Sequence, residues 1–155
     1  MPGIPSETGT RRMPAGQETE RTVAVMIRLA LAGALDARVL EWARTGVAPG
    51  RCAPAADRCR ARALCRWIAR TGRYVPDPRH AELLTHPGEL AAQWGRWGYV
   101  VGDCDDFAIL AAAGALAVGL HVRYVVLDWP GVLPGGHVFA EVWDGGRWQA
   151  GDPAF

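Results

Sequence analysis

The chain has 155 residues, a formal net charge of +1 and 50% hydrophobic residues, which suits one domain with a hydrophobic core of its own. A charge so close to neutral leaves no electrostatic footprint for nucleic acid or an anionic membrane, so neither is expected as a partner. All 17 basic residues are arginine and asparagine is absent as well, which reads as the mark of a GC-rich coding sequence rather than as a functional device.

Residues 1–20, MPGIPSETGTRRMPAGQETE, lack an apolar run and read as a disordered tail, not a secretory signal. The most apolar segment, TVAVMIRLALAGALDARVL (22–40), carries Arg28, Asp36 and Arg38 and makes a poor membrane span. A soluble, cytoplasmic protein is expected, in which four cysteines need not pair. Residues 21–45 place Val25, Ile27, Leu29, Leu31, Leu35, Val39 and Leu40 in one broad apolar stripe, predicting a helix that ends at Gly46. After a Pro/Gly loop, a second helix is predicted from Asp57 to about Thr71, with Leu64, Trp67 and Ile68 inward. GRYVPDPRH (72–80) cannot be helical because of its two prolines. AELL (81–84) reads as a short helical turn, and Pro87 as the first turn of a helix reaching Trp94 or Trp97.

The stretch GDCDDFAIL (102–110) carries the chemistry. Asp103 is a good N-cap and Asp106 stands where a capping box wants its acceptor. An apolar helix follows, closed by Gly119. Cys104 is therefore its first residue, where the helix end lowers a thiol's pKa. Beyond residue 121 the pattern turns to strands: HVRYVVL, HVFAEVW and GRWQAGD, with Asp144 and the two following glycines as a hairpin turn. A turn on Asp144-Gly145 sets His137 opposite Asp152; a turn on Gly145-Gly146 sets Asp152 opposite Phe139, diagonal to His137. Either register lets a carboxylate orient an imidazole. A cysteine nucleophile needs these parts: a base for its proton, and a third group to fix that base. Helices followed by an antiparallel sheet define an α+β order, with a helical part over 21–97 and a catalytic core over 98–155.

The pieces GDCDDFAIL, GLHVRYVV, HVFAEVW and RWQAGDPAF resemble, in order and layout, the transglutaminase-like superfamily, which shares a papain-like cysteine-peptidase core. The GDCDD form, preceded by RYVPDP and PGEL, is most similar to phage and prophage members. The resemblance implies Cys104 as nucleophile, His137 as base and Asp152 as its orienting acid. It also implies a protein or peptide substrate, no cofactor, and, for the phage type, phage proteins as partners and virion association. An oxyanion hole would take the Cys104 N–H and a second donor upstream, for which Gln93, Trp94 and Trp97 are the candidates: papain-like enzymes use a Gln, transglutaminases a Trp. Hydrolysis is preferred over glutamine–amine crosslinking, because nothing marks an amine pocket; the competing reading is a non-catalytic phage structural or assembly protein that uses the fold for binding.

Other features read as structural. Asp103, Asp105 and Asp106 are caps rather than a cation site. Cys52, Cys59 and Cys65 are spaced too widely for a zinc knuckle with His80 or His86, so no metal is expected and the cysteines are taken as core or incidental. Trp67 and Tyr74 read as core. RCRARALCR (58–66) reads as a solvated helix face, with acidic-partner binding the lesser reading.

Overall fold

In chain order, the computed structural model has β1 (Thr10–Pro14), α1 (Thr19–Gly33), α2 (Ala37–Gly46), α3 (Asp57–Thr71), β2 (Gly72–Tyr74), β3 (Ala81–Thr85), α4 (Pro87–Trp97), β4 (Val100–Gly102), α5 (Cys104–Ala117), β5 (Val122–Leu127), β6 (His137–Trp143) and β7 (Trp148–Gly151). It describes residues 10–14, 19–48, 52–53, 55–78, 81–127 and 136–154. His80 and most of the N-terminal tail lie outside these residues, as does the turn between β5 and β6.

The architecture is α+β, as expected. At its centre is α5, whose residues from Asp105 to Ala115 are all buried. Its run of small and apolar side chains explains this: AILAAAGALA has no polar face to present to water, so every face must be covered. The other four helices and the sheet β5-β6-β7 do the covering. Trp42, Leu64, Ile68, Leu90, Phe107 and Leu110 are at most 1% exposed in the resulting core.

The single helix predicted over 21–45 is two helices. Asp36, read as an interior residue, is the N-cap of α2 and accepts from the Arg38 N–H at 2.8 Å. The Arg38 guanidinium then joins Asp36 to Glu89 of α4, each at 2.8 Å. Local capping competes with helix continuation at an aspartate, and here a partner from a distant helix decides the outcome.

The stretch AELL is not helical. It belongs to β3, which pairs antiparallel with β1 from Thr10↔Thr85 to Pro14↔Ala81. The same pairing orders Thr10–Pro14, within the stretch read as a disordered tail. Backbone hydrogen bonds to a distant strand outweigh the weak helical preference of four residues. A second unforeseen pair is β2 with β4, parallel, with Tyr74 opposite Gly102.

In the main sheet, β6 pairs with β7 through Trp143↔Trp148 and Ala140↔Gly151. This register extends to Asp152 opposite Phe139, so the two-residue Asp144-Gly145 turn is not the one formed. Asp144 is buried and its Oδ1 accepts from the N–H groups of Gly146 and Arg147 at 3.0 and 2.9 Å, with Gly145 at φ +93°. The Asp144 N–H also donates to the Arg147 carbonyl at 3.0 Å, so the turn is centred on Gly145-Gly146, the second of the two expected registers, and the carboxylate organises it.

Cys52 and Cys59 are joined in a disulfide, against the expectation that the cysteines stay unpaired. Cys59 lies in the first turn of α3 and Cys52 in the segment before it, and spacing alone does not reveal the bond. Cys65 is buried in the core, where burial pushes its thiol up to about 12. His86 is the N-cap of α4, its Nδ1 accepting from the Gly88 N–H at 3.0 Å.

Candidate active site

Cys104 opens α5. Asp103 is the N-cap, its Oδ1 accepting from the N–H groups of Asp105 and Asp106 at 3.1 and 3.4 Å. Asp106 does not close a capping box; its Oδ1 instead accepts from the Thr85 N–H of β3 at 2.9 Å. Gly102 makes this arrangement possible, because a Cβ there would lie 2.6 Å from the Asp106 Cβ. The capping leaves the Cys104 N–H with no partner among the described residues, as expected for the first position of a helix.

β6 brings up the second group. His137 is its first residue, and Nε2 lies 2.6 Å from Asp152 Oδ2. The other Asp152 oxygen accepts from the Ala154 N–H at 2.8 Å, so the Asp-Pro-Ala turn holds the carboxylate at both ends. Asp152 is 4% exposed, and the His137 ring stacks on Phe139, centroids 5.9 Å apart. With Nε2–H donated to the carboxylate, Nδ1 is the basic nitrogen of the ring. The backbone N–H of Val138, the next residue, bonds the Cys104 sulfur, and Cys104 packs into the small apolar cluster that includes Val138.

The electrostatics differ from those expected of a cysteine at a helix start. Burial, then the Asp105 carboxylate, push the Cys104 thiol up to about 12, with Asp103 adding to the effect and the Val138 N–H opposing it. The Sγ lies 3.7 Å from Asp105 Oδ1. A helix end acts only over its first turn, and here that turn carries buried carboxyls of its own. Those carboxyls also repel one another. Burial, then Asp106, Asp105 and Asp77, raise Asp103 to about 8, so it holds a proton at neutral pH and is hydrogen-bonded to Asp77. Asp106 is raised to about 6, chiefly by burial.

The three oxyanion candidates all lie on α4. Gln93 Oε1 accepts from the Val101 N–H at 2.8 Å. Trp94 meets Trp67 edge-on at 5.6 Å beside the core. Trp97 is 54% exposed and stacks on Tyr99.

Tyr74, read as core, is instead 48% exposed and belongs to this site. The parallel β2–β4 pair sets it opposite Gly102, two residues before Cys104, and the Val75 N–H donates to the Gly102 carbonyl at 2.8 Å. At its other end β2 abuts the Asp152 turn: a Cβ on Gly72 would lie 2.8 Å from Pro153 Cβ. Burial, then the charges of Cys104, Asp103, Asp152 and Asp105, push the Tyr74 phenol up to about 12, so it remains a hydrogen-bond donor. Its hydroxyl has no partner among the described residues. The sequence signal was faint: an aromatic directly before VPDP, with nothing to say that this strand would lie beside GDCDD.

The fold is that of a transglutaminase-like, papain-like α+β core. The family model described as the transglutaminase-like superfamily matches residues 48–153, and the chain belongs to that superfamily. Among solved structures it is similar to a candidate cysteine protease from Cytophaga hutchinsonii, with a TM-score of 0.53 and 19% identity. That likeness, which shows a shared fold, covers 93% of this chain and 48% of the other, so this chain spans about half the length of its structural relative. No curated protein matches the sequence.

Proposed function

We propose that this domain catalyses thiol-dependent acyl transfer on a carboxamide or peptide bond, with hydrolysis as the main outcome. The observation that carries the reading is the 2.6 Å His137–Asp152 hydrogen bond on the strand whose next residue, Val138, belongs to the apolar cluster against which Cys104 packs. In this reading Cys104 Sγ attacks the carbonyl carbon while His137 Nδ1 takes the thiol proton. The raised thiol argues that the proton leaves during attack, from a resting thiol, and not from a preformed thiolate–imidazolium pair. In this reading the oxyanion is met by the Cys104 N–H and by the Tyr74 hydroxyl, beside the α4 donors Gln93, Trp94 and Trp97 expected from the sequence. Collapse breaks the C–N bond, the amine leaves with the proton held by His137, and a thioester remains. Water deprotonated by His137 then releases the acid; an amine in its place would give a crosslink. Asp152 holds the imidazole in the productive tautomer throughout.

One observation favours the second reading, a phage-type assembly protein using the fold for binding alone: a thiol raised this far is unreactive at rest. The test is mass spectrometry of glutamine-containing peptides, with and without a primary amine, incubated with the protein. Deamidation, cleavage or crosslinks that vanish in Cys104→Ala and in His137→Ala support catalysis. Products that persist in both variants, or no product together with an alkylation rate of Cys104 that His137→Ala leaves unchanged, refute it.

A further inference from the structure

The solvent face of α3 carries a feature the proposed chemistry does not use. Arg58, Arg62, Arg66 and Arg70 recur at every fourth residue, so they form one row that winds about 40° round the helix per step, with an axial step of about 6 Å and an axial span of about 18 Å. They line a groove of about 790 Å³. Its floor is small and apolar, built from alanines such as Ala63 and Ala69, Gly46, and the Cys52–Cys59 disulfide.

The row is short of counter-charge. Arg62 Nε lies 3.4 Å from the buried Asp144 carboxylate without hydrogen-bond geometry, and that nitrogen has no hydrogen-bond partner. Asp144 itself is already engaged by Gly146, Arg147 and Gln149. Arg66 and Arg70 are exposed and have no acidic partner among the described residues. Arg70 lies over the Trp67 ring at 5.7 Å. Four guanidiniums in a row repel one another, and a ligand that supplies carboxylates would relieve that repulsion.

We propose that this groove binds an extended acidic polypeptide segment whose carboxylates alternate along the chain. Side chains on one face of an extended strand recur about every 6.6–6.8 Å, close to the axial arginine step, so alternate acids on a twisted strand follow the winding row. The floor of alanine and glycine leaves room for the small residues between them. Nucleic acid is the poorer fit: its phosphates match the charge, but the groove presents no open ring for base stacking. The nearest indole, Trp67, is covered by Arg70 and by Gly46, where a Cβ would lie 2.6 Å from the ring.

The experiment is fluorescence anisotropy with a labelled peptide of alternating Glu and Ala, about eight residues long, titrated with the full chain. Binding is expected to weaken as salt rises. It should fall at least about fivefold in the double variant Arg66→Glu/Arg70→Glu, and survive in Cys104→Ala and in Arg28→Glu, a charge reversal on α1. Circular dichroism checks that the double variant folds, and Arg66→Gln/Arg70→Gln gives a milder second reading in which the loss should also be present. Equal binding by wild type and both double variants overturns the proposal. So does equal loss in Arg28→Glu, which would mean that total charge alone is read, or tighter binding of a single-stranded DNA oligonucleotide than of the peptide. The anisotropy reads the groove alone and the peptide mass spectrometry reads catalysis alone, so failure of one is distinguishable from failure of the other.

Discussion

Replacing Asp103 by Asn should reverse part of the protein's pH dependence. Asp103 sits at about 8 in the fold against an ordinary 3.8. A carboxyl raised on folding binds its proton more tightly in the native state. Its stabilising contribution is therefore complete below the unfolded pKa and is lost as pH rises towards about 8. Over the window between, the native chain carries about one extra proton, and unfolding free energy falls by about 1.4 kcal/mol per pH unit. From about pH 5 to about pH 7 that is a ceiling of about 2.7 kcal/mol; since Asp77, Asp105 and Asp106 share the repulsion, about 1–2 kcal/mol is expected. Asparagine caps as well as aspartate and can still donate to Asp77, but it does not titrate. Urea unfolding followed by tryptophan fluorescence at a series of pH values gives the comparison. The stability of Asp103→Asn relative to wild type should climb by that amount across the window, and other titrating groups, Asp106 included, largely cancel in the difference. A difference that stays flat, or that falls with pH, would refute the reasoning.

Three further outcomes follow from the same geometry. Asp105→Asn removes the carboxylate nearest the Cys104 sulfur, so alkylation by iodoacetamide at mildly alkaline pH should speed up, by about tenfold if the thiol drops by one pKa unit; an unchanged rate would mean that burial alone holds the thiol up. Tyr74→Phe should lower kcat on the proposed reaction by about 10²-fold or more while KM and urea stability stay near wild type, because the hydroxyl has no partner to lose; undiminished kcat would remove Tyr74 from the oxyanion hole. Serine at both Cys52 and Cys59 opens a loop of sequence separation 7, which should cost about 2 kcal/mol of unfolding free energy, read by urea titration; no loss would mean that the loop between α2 and α3 is as restricted without the bond.

Legibility in the sequence tracked how local each cause was. The start of α5 was readable because Asp103 and Cys104 carry their own signal, an N-cap ahead of an apolar run. The span of α3 and the start of α4 at Pro87 were readable for the same reason. The break at Asp36 was not, since it depends on Arg38 reaching Glu89, 51 residues away. Nor was β3, whose identity comes from pairing with β1. The His137–Asp152 neighbourhood followed from strand alternation, but the register between two alternatives was chosen by the Asp144 carboxylate gripping its turn.

The sequence by itself determined the α+β order, the place of Cys104 at a helix start, and the side-by-side placing of His137 and Asp152. Each of these depends on capping or on strand periodicity within a few residues. Tertiary structure decided the rest: the resting protonation of the thiol, the arrival of Tyr74, the disulfide, and the open arginine row. Burial and through-space charge set these, and neither can be read until distant segments are packed together. The aspartates around Cys104 show the difference most plainly. As sequence they are caps at the positive end of a helix; in the packed protein burial raises the neighbouring thiol first, and the Asp105 carboxylate adds to it.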